Sequence, residues 1–178
     1  MKKIIVAVSA LVLGTTAMAQ TEQVGWMFGA GSNLGFSSGK ENSDQEDAVS
    51  QLALDVRAGY FVIDNLAVGL DLGYGSESAG GVSATNLGVG PYLRYFLMEN
   101  KLFGELGYKI GSASYDGDKL GSTGALGIGA GYAAWLNDNI TIEPMVKYSM
   151  LSTKPEVGDS YNGSAFGVFV NFGIYLGN

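Results

Sequence analysis

Residues 52–74 read LALDVRAGYFVIDNLAVGLDLGY and contain two runs in which every second side chain is apolar. The first run extends from Leu52 to Tyr60 and the second from Leu66 to Tyr74. A period of two residues is that of a β-strand with one apolar face. Asp64-Asn65, between the runs, has the composition of a tight turn. The segment therefore predicts an antiparallel β-hairpin.

The same alternation extends over the rest of the chain and predicts eight strands. We expect them at residues 23–35, 51–61, 66–74, 85–96, 102–114, 123–135, 140–151 and 164–176. Most have about the 9–11 residues that a tilted strand needs to cross a bilayer. Short, turn-forming connections are expected at 62–65, 97–101 and 136–139, and long polar loops at 36–50, 75–84, 115–122 and 152–163. Short turns on one side and long loops on the other are typical of outer-membrane barrels.

The composition of the two strand faces distinguishes a membrane barrel from a soluble lipocalin-like barrel. The apolar face is bulky and uncharged, and the last strand carries Val168, Val170, Phe172, Ile174 and Leu176 on it. The other face is mostly Gly and Ala, which is too sparse in polar groups to cover a soluble exterior. Aromatic residues fall near strand ends, as in interfacial girdles: Trp26, Tyr60, Tyr95, Tyr74, Tyr148 and Phe166. We therefore predict an all-β, eight-stranded antiparallel up-and-down transmembrane β-barrel.

The inward face carries four acids and four bases, which we predict to form an interior charge network. Its members are Asp55, Arg57, Asp71, Arg94, Glu105, Lys109, Glu143 and Lys147. Folding the hairpins about their turns places Arg57 opposite Asp71 and Arg94 opposite Glu105. The network either fills the lumen or lines a polar pathway for solutes. An eight-stranded barrel is only just wide enough for its own side chains, which favours the filled lumen.

Residues 1–19 have the features of a secretory signal peptide. Lys2 and Lys3 precede a short apolar run from Ile4 to Leu13, and Ala17-Met18-Ala19 is a small-x-small cleavage site. The apolar run is too short to span a bilayer of about 30 Å. We therefore expect a signal peptide at 1–19 and a barrel domain at 20–178.

The composition excludes several kinds of chemistry. The chain has no cysteine and no histidine, so it offers neither a thiolate nucleophile nor a Ser-His-Asp triad. A net charge of −7 argues against a nucleic-acid partner. The acidic run 41–47 and Asp116-Gly117-Asp118 lack the spacing of an EF-hand loop. We expect no catalytic residue, no cofactor and no metal site.

The stretches GPYLRYFL, residues 90–97, and KLFGELGY, residues 101–108, resemble those of the small outer-membrane β-barrel proteins, the group similar to OmpX and the OmpA transmembrane domain. The resemblance implies a bacterial outer-membrane location and two partners, the membrane lipids and the assembly machinery. Members of the group are variously adhesion or defence factors, structural barrels or weak pores. By the same resemblance, Arg57, Asp71, Arg94 and Glu105 match interior charge clusters of such barrels.

Three functions remain open at this level. The leading expectation is a monomeric, non-enzymatic barrel with a structural or surface-interaction role, which contacts any extracellular ligand through loops 36–50, 75–84, 115–122 and 152–163. The alternative is a narrow porin-like channel for small solutes. The third is a soluble secreted binding barrel, which recovery from the periplasm without detergent would identify.

Overall fold

The computed structural model describes residues 25–31, 35–39 and 49–177. The expected signal peptide and the acidic run 41–47 lie outside these residues. Ten strand segments occur in the described part: β1 Trp26–Ala30, β2 Gly35–Gly39, β3 Val49–Ile63, β4 Leu66–Ala79, β5 Val82–Leu97, β6 Leu102–Tyr115, β7 Asp118–Tyr132, β8 Ala134–Trp135, β9 Ile140–Pro155 and β10 Tyr161–Leu176. No helix in these residues is long and apolar enough to span a membrane.

The segments close into one antiparallel barrel. Strand β1 pairs with β10 on one side and with β3 on the other, and β2 continues along β3. The short β8 follows β7 in the same position and pairs with β9. The ten described segments therefore occupy eight positions around the barrel, and the predicted fold class is confirmed.

The apolar side chains of the alternating strands form the outer surface of the barrel. Leu70, in the middle of β4, is 59% exposed, and Val168 on β10 is 70% exposed. Their neighbours of opposite parity, such as Asp71, are buried in the lumen. Aromatic rings pack on the outside near one end of the barrel, where the ring centroids of Trp26 and Tyr60 lie 5.2 Å apart. This is the arrangement expected of a barrel surrounded by lipid.

One end of the barrel has the short turns 64–65, 98–101 and 136–139 that the sequence predicts. We call it the short-turn end, and the opposite end the far end. Asn65 and Asn100 adopt positive φ angles of 66° and 67°. Asparagine tolerates this left-handed conformation better than most residues, so it suits such positions.

The prediction of long loops at the far end is wrong, because strands occupy most of the residues assigned to them. Residues 75–84 form a hairpin around Gly80-Gly81, and residues 115–122 form one around Asp116-Gly117. Of the expected loop 152–163, only residues 156–160 lie outside strands. Of the expected loop 36–50, residues 36–39 and 49–50 belong to strands, and residues 40–48 lie outside the described part. The first predicted strand, 23–35, is likewise two segments in the described residues.

The strands are longer than predicted because they continue beyond the apolar band. Outward positions change from apolar residues to Ser76 and Ser78 on β4 and to Ser112 and Ser114 on β6. Backbone pairing continues there although the apolar alternation has ended. Gly-Gly and Asp-Gly suit two-residue hairpin turns, since both central residues take positive φ; Gly80 and Gly81 have φ angles of 57° and 81°.

Candidate functional site

Packed rings fill the lumen at the short-turn end. They come from five residues on different strands, which we call the aromatic floor: Phe61, Phe96, Phe103, Trp135 and Tyr175. The ring centroids of Phe96 and Phe103 lie 5.6 Å apart, and those of Trp135 and Tyr175 lie 4.8 Å apart. The Trp135 indole N–H also donates a hydrogen bond of 3.0 Å to the carbonyl oxygen of Asn100. The floor is therefore fixed to the turn beneath it.

The aromatic floor was not predicted, although the parity of its residues along the strands contains the signal. Phe96 lies two positions after Arg94, and Phe103 lies two positions before Glu105. Residues two apart on a strand share a face, so these rings had to point inward with the charges. An alternation of apolar residues outside with small or charged residues inside has no place for inward rings, which is why the floor was not predicted.

Arg94 lies directly above the aromatic floor and is only 1% exposed. Its Nη2 atom is 2.8 Å from Oε2 of Glu105, and its Nη1 atom is 2.6 Å from Oε2 of Glu143. The guanidinium carbon lies 4.0 Å from the ring centroid of Phe103. A cation over an aromatic face is attracted by the ring quadrupole. Two carboxylates and one ring therefore compensate the burial of this charge.

Glu105 is shared by three cations. Besides Arg94, its carboxylate accepts a 2.6 Å contact from Nη1 of Arg57 and lies 3.5 Å from Nζ of Lys147. Arg57 also pairs with Asp71, at 3.0 Å between Nε and Oδ1. The registers align Arg57 with Asp71 and Arg94 with Glu105, as the turn positions predict. Glu105 on β6 also contacts Arg57 on β3 and Lys147 on β9. Neither strand forms a hairpin with β6, so turn positions alone do not predict these two contacts.

Glu143 has two further hydrogen bonds. The Tyr175 hydroxyl donates to its Oε1 atom at 2.5 Å, and the Thr141 hydroxyl donates to the same atom at 2.8 Å. Glu143 is therefore held by one cation and two neutral donors, and all four side chains are buried. Buried charges persist when they are paired and hydrogen-bonded in this way.

Lys109 and Asp55 form the loosest pair of the predicted set. The Lys109 Nζ atom is 3.9 Å from Oδ1 of Asp55, and both side chains are partly exposed. They lie farther from the aromatic floor than Arg94 and border a cavity inside the barrel. All eight residues of the predicted set therefore face the lumen, and they range from the buried Arg94 to this half-exposed pair.

Glycines on neighbouring strands make room for the large lumen side chains. A Cβ atom at Gly29 would lie 2.8 Å from Cγ of Arg57, and one at Gly127 would lie 2.5 Å from Cε of Lys147. Real Cβ atoms do not approach other atoms so closely. The abundance of inward glycine thus follows from the size of the residues that cross the lumen.

Comparison with known proteins places the fold in a family. The family model described as "Outer membrane protein beta-barrel domain" matches residues 5–175. Similar solved structures include OprG from Pseudomonas aeruginosa, at 14% identity over 90% of this chain and 99% of that chain, with a TM-score of 0.49. Neisserial surface protein A has 16% identity over 85% of this chain and 94% of that chain, also with a TM-score of 0.49.

Ail from Yersinia pestis, solved in a phospholipid bilayer nanodisc, is 14% identical to this chain. The match covers 86% of this chain and 100% of Ail, with a TM-score of 0.45. No curated protein matches the sequence. The family model extends over nearly the whole chain, which matches it from the amino-terminal region to the end of β10. The chain therefore belongs to the outer-membrane-protein β-barrel family and is a β-barrel of the bacterial outer membrane.

Proposed function

We propose that this protein is a non-enzymatic outer-membrane barrel with a structural or surface-interaction role and a lumen that does not conduct. The observation that carries the proposal is the succession of two filled levels in one narrow barrel. The aromatic floor occupies the lumen at the short-turn end, and Arg94 lies above it with Glu105 and Glu143. A solute would have to displace both levels to pass.

The width of the barrel supports this interpretation. An eight-stranded barrel has an interior that its own side chains just fill. Three ion pairs shorter than 3 Å join the four strands β3, β5, β6 and β9 at the level of Arg94, so the side chains there have little freedom to move aside. Opening a path would leave buried charges without partners, which is costly.

A narrow channel is the second candidate function. We call the closely paired residues Arg57, Asp71, Arg94, Glu105 and Glu143 the ion cluster. The channel is favoured by cavities between this cluster and the far end, one of which has a volume of about 250 Å³ and is bordered by Lys109 and Lys147. Conduction would in addition require a route past Phe96 and Phe103.

A flux measurement on reconstituted protein tests the proposed function. Liposomes that contain the refolded barrel are placed in an iso-osmotic solution of a small amino acid or sugar, and swelling is followed by light scattering. We expect these liposomes to swell no faster than liposomes without protein, because side chains fill the lumen. Swelling at the rate given by an open porin would favour the channel.

The remaining expectations complete the proposal. Residues 1–19 act as a cleaved signal peptide, and residues 20–178 form the barrel domain. The barrel is a monomer, and it contacts the outer-membrane assembly machinery during biogenesis. The short-turn end faces the periplasm and the far end faces the outside, because short turns are periplasmic in such barrels. An extracellular partner would therefore meet the turns around residues 80–81, 116–117 and 156–160, and residues 40–48 of the expected loop 36–50 lie outside the described part of the chain.

A further inference from the structure

The lumen contains open space between the ion cluster and the far end. A cavity of about 250 Å³ is bordered by the cations Arg57, Lys109 and Lys147 and by the carboxylates Asp55 and Asp71, and Ser149 and Asn171 also line it. A second cavity of about 460 Å³ shares lining residues with the first and continues toward the far end. Together they form a well in the barrel, which the ion cluster closes on the side of the aromatic floor.

The two lysines that border the well are held loosely. Lys147 Nζ is 3.5 Å from Glu105, and Lys109 Nζ is 3.9 Å from Asp55. The arginine contacts deeper in the lumen are much shorter, at 2.6 Å for Arg57 with the same glutamate. An ammonium group has three N–H donors and no acceptor. One long ion pair leaves donor capacity on each lysine that a solute in the well can use.

The wall of the well exposes more positive than negative charge. The side chains of Lys109 and Lys147 are 32% and 21% exposed. Among the acids of the network, only Asp55 has comparable exposure, while Glu105 is 1% exposed behind the cations. The network is neutral as a whole, but three of its cations, Arg57, Lys109 and Lys147, border the well, against two of its carboxylates, Asp55 and Asp71. A group of negative charge is therefore favoured in the well.

We propose that this well is a binding site for a small oxyanion, a solute with a carboxylate or phosphate group, which Lys109 and Lys147 hold together. The Ser149 hydroxyl lies on the same wall and can donate a further hydrogen bond. The site goes beyond the proposed structural role and does not depend on it, because an anion can bind there whether or not the lumen conducts.

Glycines on the neighbouring strands set the positions of the two lysine side chains. The Lys147 stem lies against Gly127, and the Lys109 stem lies against Gly88, where a Cβ atom would be 3.1 Å from Cδ of the lysine. Each side chain can therefore lie flat along the wall, with its ammonium at the border of the well. A larger residue at Gly127 would move the Lys147 ammonium and weaken anion binding.

The experiment labels the lysines with ¹³C-methyl groups, which preserve their charge, and records NMR spectra of the refolded barrel in detergent micelles. Inorganic phosphate and succinate are titrated separately at constant ionic strength. We expect saturable shifts of the Lys109 and Lys147 signals with at least one probe, and none for Lys154, which is exposed on the outer face of β9. The probe that binds more tightly identifies the phosphate or the carboxylate as the preferred group.

Matched variants complete the experiment. K147M and K109M should each weaken binding by about tenfold or more, as expected for a lost charge-assisted contact, whereas K154M should leave it unchanged. Arg57 and Arg94 still pair with Glu105 in K147M, so we expect this variant to fold. The absence of saturable shifts in the wild-type protein, or equal shifts at Lys154, would overturn the proposal. Channel conductance does not enter this readout, so failure of the binding site and failure of the proposed function are distinguishable.

Discussion

The Nη1 atom of Arg57 lies 2.6 Å from the Oε2 atom of Glu105, although two other strands separate β3 from β6 in the barrel. The contact therefore spans the lumen. It joins the pair Arg57–Asp71, which lies across one hairpin, to the pair Arg94–Glu105, which lies across another. The interior charges behave as one network, and a change at one member is expected to alter the others.

Removal of Arg94 should be the most destabilising single change in the lumen. Arg94→Met leaves Glu143 buried without its cation, which we expect to lower the free energy of unfolding by about 3–5 kcal/mol. The double variant R94M/E143Q should be less destabilised than R94M, because the second change removes the unpaired charge. Urea unfolding in lipid vesicles, followed by the gel mobility of folded and unfolded barrel, measures both.

The exposed pair Lys101–Glu99, with 3.6 Å between Nζ and Oε2, provides the control for these lumen variants. K101M should cost less than about 1 kcal/mol, as is usual for ion pairs in water. Strictly additive effects of R94M and E143Q would show that the two side chains do not interact in the folded protein.

Two lumen tyrosines should respond differently to loss of the hydroxyl. The Tyr175 hydroxyl donates to Glu143, so Tyr175→Phe should lower the free energy of unfolding by about 1.5–3 kcal/mol. The buried Tyr92 hydroxyl has no hydrogen-bond partner among the described residues. Tyr92→Phe should therefore not destabilise the barrel, and the same unfolding assay compares it directly with Tyr175→Phe. A larger loss in Y92F than in Y175F would contradict these contacts.

Arginine should be tolerated differently at two exposed valines. Val146 lies in the middle of the outward apolar run of β9, whereas Val157 lies in the connection 156–160 and is 91% exposed. Val146→Arg should cost about 2–4 kcal/mol, as for arginine near the midplane of a bilayer. Val157→Arg should change the free energy of unfolding by less than about 0.5 kcal/mol. Equal tolerance in vesicles would mean that Val146 does not face lipid.

The orientation of the barrel can be tested with single cysteines, since the chain has none of its own. Asp159→Cys lies at the far end, and Asp138→Cys lies in a turn of the short-turn end. A polyethylene-glycol maleimide too large for porins should label D159C on intact cells, and D138C only after the outer membrane is permeabilised. The reverse pattern would invert the assignment of the two ends.

The sequence predicted the barrel, its outer face and the hairpin registers, because all three depend on local rules. Alternation defines which side chains share a face, and the position of a turn fixes which residues lie opposite each other. Arg57 is thus aligned with Asp71, and Arg94 with Glu105, from spacing alone.

Two features were not predicted, for different physical reasons. The extent of the strands at the far end depends on backbone pairing, which continues past Ser76 and Ser112 where no apolar alternation marks it. The contact of Arg57 with Glu105 depends on closure of the barrel, which brings distant strands together across the lumen. Local turn chemistry at Asp116-Gly117 did contain the signal for a short hairpin.

The most direct test of the central claim, that the lumen is closed, is the electrical conductance of the refolded wild-type barrel in a planar lipid bilayer. An open porin added to the same bilayer afterwards verifies that conduction can be detected. A barrel closed by the aromatic floor and the ion cluster should insert into the bilayer without producing stepwise increases in current. Steady single-channel conductance of the wild-type protein, altered in K147M, would show that ions pass through the lumen and would contradict the claim.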